Sequence, residues 1–280
     1  MVTTVRLAKP IVVGALLSAT IGLSMVSIPA QASVWPSSHE RVAEALVSGN
    51  VSERRRAAAQ LPRLPLKLAT GLARRALRDG DLEVRLLGAR AAAALGIDKA
   101  GDEVVSWLSD RDVRLRVAAC ELIAAAPTAQ SVQALARVLG DGKARVRQAA
   151  AAAMGGSGMS DAVSPLLGHL DDGAASVRLA VVRALGRIGD RRAVVPLVSK
   201  LQDQESDVRR EAARSLGQLG DGRAIATLML ALQDQTVAVR VAALDALGRL
   251  GADAATAAIA ALLSADGTGA RGQAGAGGPV

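Results

Sequence analysis

Along most of this 280-residue chain, positions i and i+31 carry the same kind of residue. Seven arginines follow this spacing, which we call the ladder arginines: Arg54, Arg85, Arg116, Arg147, Arg178, Arg209 and Arg240. Six aspartates follow it as well, the ladder aspartates: Asp79, Asp110, Asp141, Asp172, Asp203 and Asp234. A leucine ladder with the same step runs from Leu46 to Leu263. A fixed period in this range is the signature of a repeat architecture, in which each unit contacts only its neighbours.

Each unit has the pattern of two helices joined by a polar turn. In the unit at 191–220, residues 193–201 are apolar at helical spacing. In the second half, Val208, Ala212 and Leu216 are spaced by four and therefore share one face of a helix. One such pair cannot bury its apolar face alone, so neighbouring pairs must stack around a shared core. The predicted fold class is all-α, a solenoid of about seven helix pairs with a C-terminal half-repeat.

The repeated segments resemble a known family. The segments VRLAVVRALGRIGD at 177–190 and DVRREAARSLGQLGD at 207–221 are close to the consensus of short HEAT-like repeats. Within that family they look most like the subtype named after phycobilisome lyases. The resemblance covers about residues 39–263 and implies an α-solenoid. It implies little about function, because this repeat serves many unrelated roles.

Residues 1–32 differ in composition from the rest of the chain. Arg6 and Lys9 precede an uncharged apolar stretch at 11–28, and Ala30-Gln31-Ala32 has the small-x-small pattern of a cleavage site. We predict a secretory signal peptide at 1–32 and an exported chain, periplasmic or extracellular, that is not integral to the membrane after cleavage. The alternative is an uncleaved membrane anchor.

The rest of the chain divides into the repeats and a short tail. The solenoid is predicted over 33–263, with the half-repeat at 254–263 covering its end. Glycine and alanine dominate residues 264–280, where apolar periodicity stops, so this segment is predicted to be disordered.

Glycines are expected where helices end. Gly217 and Gly220 are predicted to lie past the end of their helix. Gly155-Gly156-Ser157-Gly158 falls between the fourth and fifth repeats and carries more glycine than the other turns. It predicts either a loose connection or a hinge that lets the superhelix flex.

The two charged ladders are predicted to be structural. An arginine beside an aspartate at every step can bridge to the aspartate of its own turn or of a neighbouring one. Such bridges tie adjacent repeats together. The ladder residues from Arg85 to Arg240 and from Asp79 to Asp234 are therefore poor candidates for ligand contacts.

The candidate contact surface lies on the second helices, which line the concave face of HEAT-type stacks. Positions one and five residues past each ladder arginine are expected to be exposed there. Eleven of them are the candidate contacts: Arg55, Leu86, Arg90, Val117, Glu121, Gln148, Leu179, Arg183, Arg210, Arg214 and Val241. The first stripe is largely apolar, which suits a helical or extended segment of a partner protein. The predicted function is therefore that of an exported scaffold or adaptor.

Positive charge is concentrated near the N-terminal end of the repeats. The formal net charge is +8, and residues 41–78 hold nine basic and two acidic residues, whereas residues 79–280 are balanced. Eight of the nine are candidate anion-binding residues: Arg54, Arg55, Arg56, Arg63, Lys67, Arg74, Arg75 and Arg78. This cluster predicts either binding to an anionic envelope polymer or lipid surface or simply a solvated end cap.

Nucleic acid is not an expected partner. The chain has no Phe or Tyr, and Trp35 and Trp107 are its only aromatic residues. Stacking on bases is therefore almost unavailable, and export would remove the chain from most nucleic acid.

Few residues point to catalysis. Cys120 is the only cysteine and sits among small apolar residues, so it is predicted to be a packed side chain and not a nucleophile. One HEAT-like family, deoxyhypusine hydroxylase, binds two irons through several His-Glu pairs. This chain has a single such pair, His39-Glu40, and its other histidine, His169, is followed by leucine. We therefore predict neither a metal nor a cofactor, and no enzymatic activity.

A lyase-like activity is the remaining alternative. The family's namesake enzymes attach or detach bilin chromophores in the cytoplasm. The export signal argues against that activity here, and so does the shortage of aromatic residues, since a planar chromophore usually needs a stacking surface.

Overall fold

The computed structural model describes residues 38–97 and 99–251, together with the helical positions 253, 256 and 260. All of the described residues belong to one compact unit, which begins at Ser38. The predictions of a signal peptide at 1–32 and a tail at 264–280 fall outside the described residues, as does most of the predicted half-repeat at 254–263. Within the described residues, none of the helices has both the length and the apolar character needed to cross a bilayer.

The described residues are helical, without strands, and form seven consecutive helix pairs. The first helices of the pairs are α1 (Ser38–Ser48), α3 (Leu66–Leu77), α5 (Ala100–Glu103), α7 (Ala129–Val138), α9 (Val163–Leu167), α11 (Val194–Ser199) and α13 (Ile225–Ala231). The second helices are α2 (Val51–Gln60), α4 (Leu82–Ala94), α6 (Val113–Ala125), α8 (Ala144–Ser157), α10 (Ala175–Ile188), α12 (Ser206–Leu219) and α14 (Val237–Leu250). The predicted all-α solenoid is therefore confirmed.

The first and second helices differ in regularity. Several first helices are short and are extended by single 3₁₀ turns, such as Arg191–Ala193 before α11 and Lys200–Gln202 after it. Pro196 lies in the first turn of α11, where its missing N–H costs little. The second helices run for 10 to 14 residues and stack on one another in order along the chain.

The core is one continuous layer between the helix rows. The ladder leucines from Leu46 to Leu232 are all buried. Further leucines, valines and alanines make up most of the remaining core, and Val84, Val146 and Val177 are fully buried. Each second helix thus contributes its apolar face to a core shared with the repeats before and after it, as the spacing predicts.

The glycines between the fourth and fifth repeats have two roles, close packing at Gly155 and the end of a helix at Gly158. Gly155, Gly156 and Ser157 continue α8, and Gly158 ends it in a left-handed conformation with φ of 63°. A Cβ added to Gly155 would lie 2.6 Å from Cα of Ala184 in the next repeat. The prediction of a loose connection was therefore wrong for residues 155–157, because this helix runs on and packs closely. The alternative of a hinge stays a prediction.

The predicted helix end of the sixth repeat was right for one glycine and wrong for the other. Gly220 ends α12 with φ of 66°, as expected of a glycine cap. Gly217 lies inside α12, where an added Cβ would be 2.7 Å from Cα of Ala246. The backbones of neighbouring second helices approach too closely there for a side chain.

Candidate binding surface

Each ladder arginine from Arg54 to Arg209 contacts the ladder aspartate of the following repeat. The nitrogen–oxygen separation is 2.7 or 2.8 Å for five pairs: Arg54–Asp79, Arg116–Asp141, Arg147–Asp172, Arg178–Asp203 and Arg209–Asp234. The predicted structural role is confirmed, and the partner is the neighbouring turn. For Arg240 the corresponding position is 265, which lies outside the described residues.

The pair formed by Arg147 shows how the contact works. Nε and Nη2 donate to the two carboxylate oxygens of Asp172, each over 2.7 Å, and Nη1 donates to the backbone oxygen of Asp141 over 2.8 Å. Asp172 Oδ1 also accepts the backbone N–H of Ala174, which precedes α10. One guanidinium therefore joins the turn of its own repeat to the turn of the next.

Electrostatics follow from this geometry. The hydrogen bond from Arg147 lowers the pKa of the Asp172 carboxyl, despite the opposing effect of burial. Arg209 lowers the pKa of Asp234 in the same way. These carboxyls are thus held in the charged form, which the guanidinium needs as a partner.

Arg85 is an exception among the ladder arginines. Its Nη1 lies 3.7 Å from Asp110, too far for a hydrogen bond. Its guanidinium instead lies over the Trp107 ring, 5.8 Å from the centroid. A cation–π contact therefore replaces most of the usual ion pair at this repeat.

The basic N-terminal cluster is partly neutralised by carboxylates of later repeats. Arg54 pairs with Asp79. Arg55 contacts Asp81 over 2.6 Å, and its hydrogen bond lowers the pKa of Asp81 to about 2. Glu103 lies 3.3 Å from Arg74 and 3.0 Å from Arg78. The remaining four cluster residues, Arg56, Arg63, Lys67 and Arg75, are exposed and form no ion pair with a described carboxylate. The positive field at this end is therefore weaker than the sequence count implies.

Three second helices, α4, α6 and α8, line a continuous hollow that we call the second-helix groove. It consists of two adjoining parts of about 480 and 430 Å³, which share Val117, Glu121 and Arg145. The apolar floor residues are Leu86, Ala89, Val117, Ala118, Ala149 and Ala152. The charged residues along its rim are Arg90, Arg114, Glu121, Arg145 and, from α10, Arg187.

The structure brings together five of the eleven candidate contact residues in this groove: Leu86, Arg90, Val117, Glu121 and Gln148. Leu86 and Val117 are only 8% exposed. The prediction that these two are exposed was wrong, because they lie between neighbouring helices and form the floor. Arg90, Glu121 and Gln148 are exposed, as predicted.

The other six candidates lie outside this groove. Arg55 is exposed on α2 but paired with Asp81. The remaining five lie on the last three second helices: Leu179, Arg183, Arg210, Arg214 and Val241. Leu179 and Arg210 are half-buried, which again contradicts the expected exposure, whereas Arg183, Arg214 and Val241 are exposed.

Internal ion pairs divide the arginines of the second helices into two groups. Arg183 contacts the buried carboxylate of Glu211 over 3.0 Å, and Arg210 contacts Asp207 over 2.9 Å. Arg114 contacts both Glu83 and Asp112, over 2.6 and 3.1 Å. The groove arginines Arg90, Arg145 and Arg187 have no such pair within the described part of the chain.

Of the three groove arginines that form no ion pair with a described carboxylate, sequence reasoning missed two, Arg145 and Arg187. Both lie off the two predicted stripes, yet a helical signal was present. Arg187 follows Arg183 by four residues, and Arg145 precedes Gln148 by three, so each shares a face with a predicted contact. The two predicted stripes therefore cover only part of the helix surface that lines the groove.

The groups considered for catalysis lie apart. His39 is in α1 and His169 follows α9, four repeats further on. The described residues contain no group of three or more metal-ligating side chains. Cys120 is fully buried, and burial raises the pKa of its thiol to about 12, so the predicted packed side chain is confirmed.

A stack of helix pairs with one shared core and a groove along the second helices defines an α-solenoid of the armadillo-like class. The family model of HEAT repeats matches residues 101–178, 144–202, 169–236 and 194–276, which together make up more than half of the chain. The chain therefore belongs to the HEAT repeat family, as its resemblance predicts. No curated protein matches it.

Two solved structures with TM-scores above 0.5 show the same fold. The Escherichia coli protein YibA is 20% identical over 76% of this chain and 80% of its own, with a TM-score of 0.57. An engineered protein is 22% identical over 80% of this chain and 71% of its own, with a TM-score of 0.56. The complex of CpcE and CpcF of phycocyanin lyase from Nostoc is 23% identical over 86% of this chain and 99% of the matched one, with a TM-score of 0.49.

Proposed function

We propose that this protein is an exported scaffold or adaptor that binds a partner protein along its second helices. The second-helix groove is the observation that carries the proposal. It joins an apolar floor at Leu86 and Val117 to a rim of exposed arginines. Protein-binding hollows combine these two properties, since apolar contact supplies affinity and the polar rim supplies orientation.

Binding, and not catalysis, is the proposed activity. The groove supplies arginines, one glutamate and a buried thiol held protonated. A nucleophile next to a base, which covalent catalysis requires, is not among these groove residues. Export is proposed from the pattern of residues 1–32 alone. Fractionation of cells that produce the whole chain or the chain lacking 1–32 would test it, and cytoplasmic retention of the whole chain would refute it.

Site-specific crosslinking in the producing cells tests the binding surface. A photoreactive residue is placed at Gln148 or Ala152 in the groove, or at Leu230, which is 68% exposed on α13. We expect defined protein adducts from the two groove positions and none from the control. Adducts from Leu230 alone would place the partner on the first helices and refute the proposal.

A second candidate function is binding of an anionic envelope polymer through the N-terminal cluster. The supporting observation is a group of four cations that form no ion pair with a described carboxylate: Arg56, Arg63, Lys67 and Arg75. Their exchange for glutamine would weaken binding to purified envelope and leave the groove adducts unchanged. Binding through exposed charges also falls steeply with salt, so envelope binding by the parent should weaken at high ionic strength.

A further inference from the structure

We propose that the second-helix groove binds an acidic, extended segment of the partner, with apolar side chains of that segment seated on its floor. This inference rests on the proposed function and adds the chemistry of the partner. It draws on three observations: which arginines are left without carboxylates, what forms the floor, and how far the groove extends.

The first observation is the uneven neutralisation of arginines. Five ladder arginines hold a carboxylate at 2.7 or 2.8 Å, and Arg114 on the groove rim holds two. Against this background, Arg90, Arg145 and Arg187 form no ion pair within the described residues, although all three line one hollow. The only carboxylate among the lining residues is Glu121. The groove therefore keeps a positive charge, and complementary charge selects an acidic partner.

The second observation is the apolar floor. Leu86 and Val117 are each only 8% exposed to solvent. The alanines at positions 89, 118, 149 and 152 have small side chains and leave the groove open above the helices. A strongly hydrated polyanion gains no binding free energy from an apolar floor. Leucine-sized side chains of a peptide do gain it, because they cover the floor and remove its apolar surface from water. The combination favours a peptide with acidic and apolar residues over a nucleic acid or an acidic polysaccharide.

The third observation is the extent of the groove. It crosses α4, α6 and α8, which is two steps of about 8–10 Å between packed helices. An extended peptide rises about 3.3 Å per residue, so about six residues span this distance. Successive side chains of an extended peptide point to opposite sides. Alternate residues can therefore face the floor while those between them reach the arginine rim.

A peptide of alternating glutamate and leucine, about eight residues long and blocked at both ends, is a direct probe. Fluorescence anisotropy with the full chain would measure its affinity. Two companion peptides separate the contributions: one replaces every glutamate by lysine, and the other replaces every leucine by serine. We expect the Glu-Leu peptide to bind at least about fivefold more tightly than either companion.

Variants locate the site. Arg90→Gln with Arg145→Gln should weaken binding of the Glu-Leu peptide by about fivefold or more. The matched control, Arg137→Gln with Arg191→Gln, removes the same charge from exposed arginines on first-helix segments and should change affinity by less than about twofold. Both variants should retain the far-ultraviolet circular dichroism and melting temperature of the parent, because none of these four arginines forms an ion pair within the described residues.

Three results would overturn the inference: no binding of the Glu-Leu peptide up to millimolar concentration, equal binding of the Lys-Leu peptide, or equal losses in the groove and control variants. Tight binding of the Glu-Ser peptide, displaced by heparin, would show that the groove takes any polyanion and would overturn it as well. If protein adducts at Gln148 or Ala152 persist while the Glu-Leu peptide fails to bind, the scaffold proposal stands and the acidic-segment inference fails.

Discussion

Removing one ladder arginine should uncouple two adjacent repeats. In Arg147→Met the aliphatic part of the side chain stays, but Asp172 loses both guanidinium hydrogen bonds and keeps the backbone N–H of Ala174. The Asp172 side chain is 6% exposed and that of Arg147 is 18% exposed. Breaking a buried pair costs about 3–5 kcal/mol, whereas an exposed pair contributes about 0–1 kcal/mol. We therefore expect a loss of about 2–3 kcal/mol in the free energy of unfolding, between these two limits.

The stability of this pair should depend on pH in a defined direction. The folded protein lowers the pKa of Asp172, mainly through the hydrogen bond from Arg147. A lowered carboxyl pKa stabilises the fold at every pH above the unfolded-state value, and this contribution is lost as the pH falls through the folded value. The parent should therefore lose stability below about pH 4, and Arg147→Met should lose less over the same range.

Urea unfolding followed by circular dichroism would measure these effects. Arg145→Met is the matched control, because Arg145 lies on the same helix, is exposed and forms no ion pair with a described carboxylate. It should change stability by no more than about 0.5 kcal/mol. The double variant Arg147→Met with Asp172→Asn should be more stable than additivity predicts, by about 1 kcal/mol. Strict additivity, or a loss no larger than in the control, would refute the coupling of repeats through this pair.

Four further experiments test other parts of the packing. Gly155→Ala should destabilise the fold by about 1–3 kcal/mol, because its methyl group would lie 2.6 Å from a Cα of the next repeat. Gly156→Ala should stabilise it by up to about 1 kcal/mol, since the atom nearest to the added methyl group is 3.6 Å away. Thermal unfolding would show whether each variant is less or more stable than the parent, and equal changes in the two variants would refute the packing argument. Arg85→Met should lower the free energy of unfolding by only about 1 kcal/mol. In a background lacking the other tryptophan it should also shift the fluorescence emission of Trp107, and unchanged emission would count against the cation–π contact. Cys120 should react with a thiol reagent only as fast as the protein unfolds, because burial raises its pKa to about 12, and rapid labelling of the folded chain would contradict its placement.

Local periodicity explains why most of the fold was predictable. The spacing of Val208, Ala212 and Leu216 reports which face of a helix is apolar, and that property depends only on helix geometry. The recurrence of the pattern from i to i+31 then gives the number of helix pairs. Irregular first helices were harder to predict, because single 3₁₀ turns such as Lys200–Gln202 leave the apolar pattern almost unchanged.

Contacts between repeats were less predictable. The ladders indicated that arginine and aspartate pair, but not whether Arg147 would reach the aspartate of its own turn or that of the next. Gly155 was expected in a connection or hinge and Gly217 past a helix end, because the sequence does not show how closely two second helices approach. The exposure of Leu86 and Val117 was misjudged for the same reason, since it depends on the neighbouring helix and not on their own.

The sequence by itself determined the repeat, the helix pair, the buried leucines and the structural role of the charged ladders, because these follow from spacing within one unit and its recurrence. Only the tertiary structure decided which arginines remain available. Arg183 and Arg114 are neutralised by carboxylates of neighbouring repeats, whereas Arg90, Arg145 and Arg187 form no ion pair with a described carboxylate. The rotation and stacking of neighbouring helices control that difference, and they locate the groove at α4, α6 and α8.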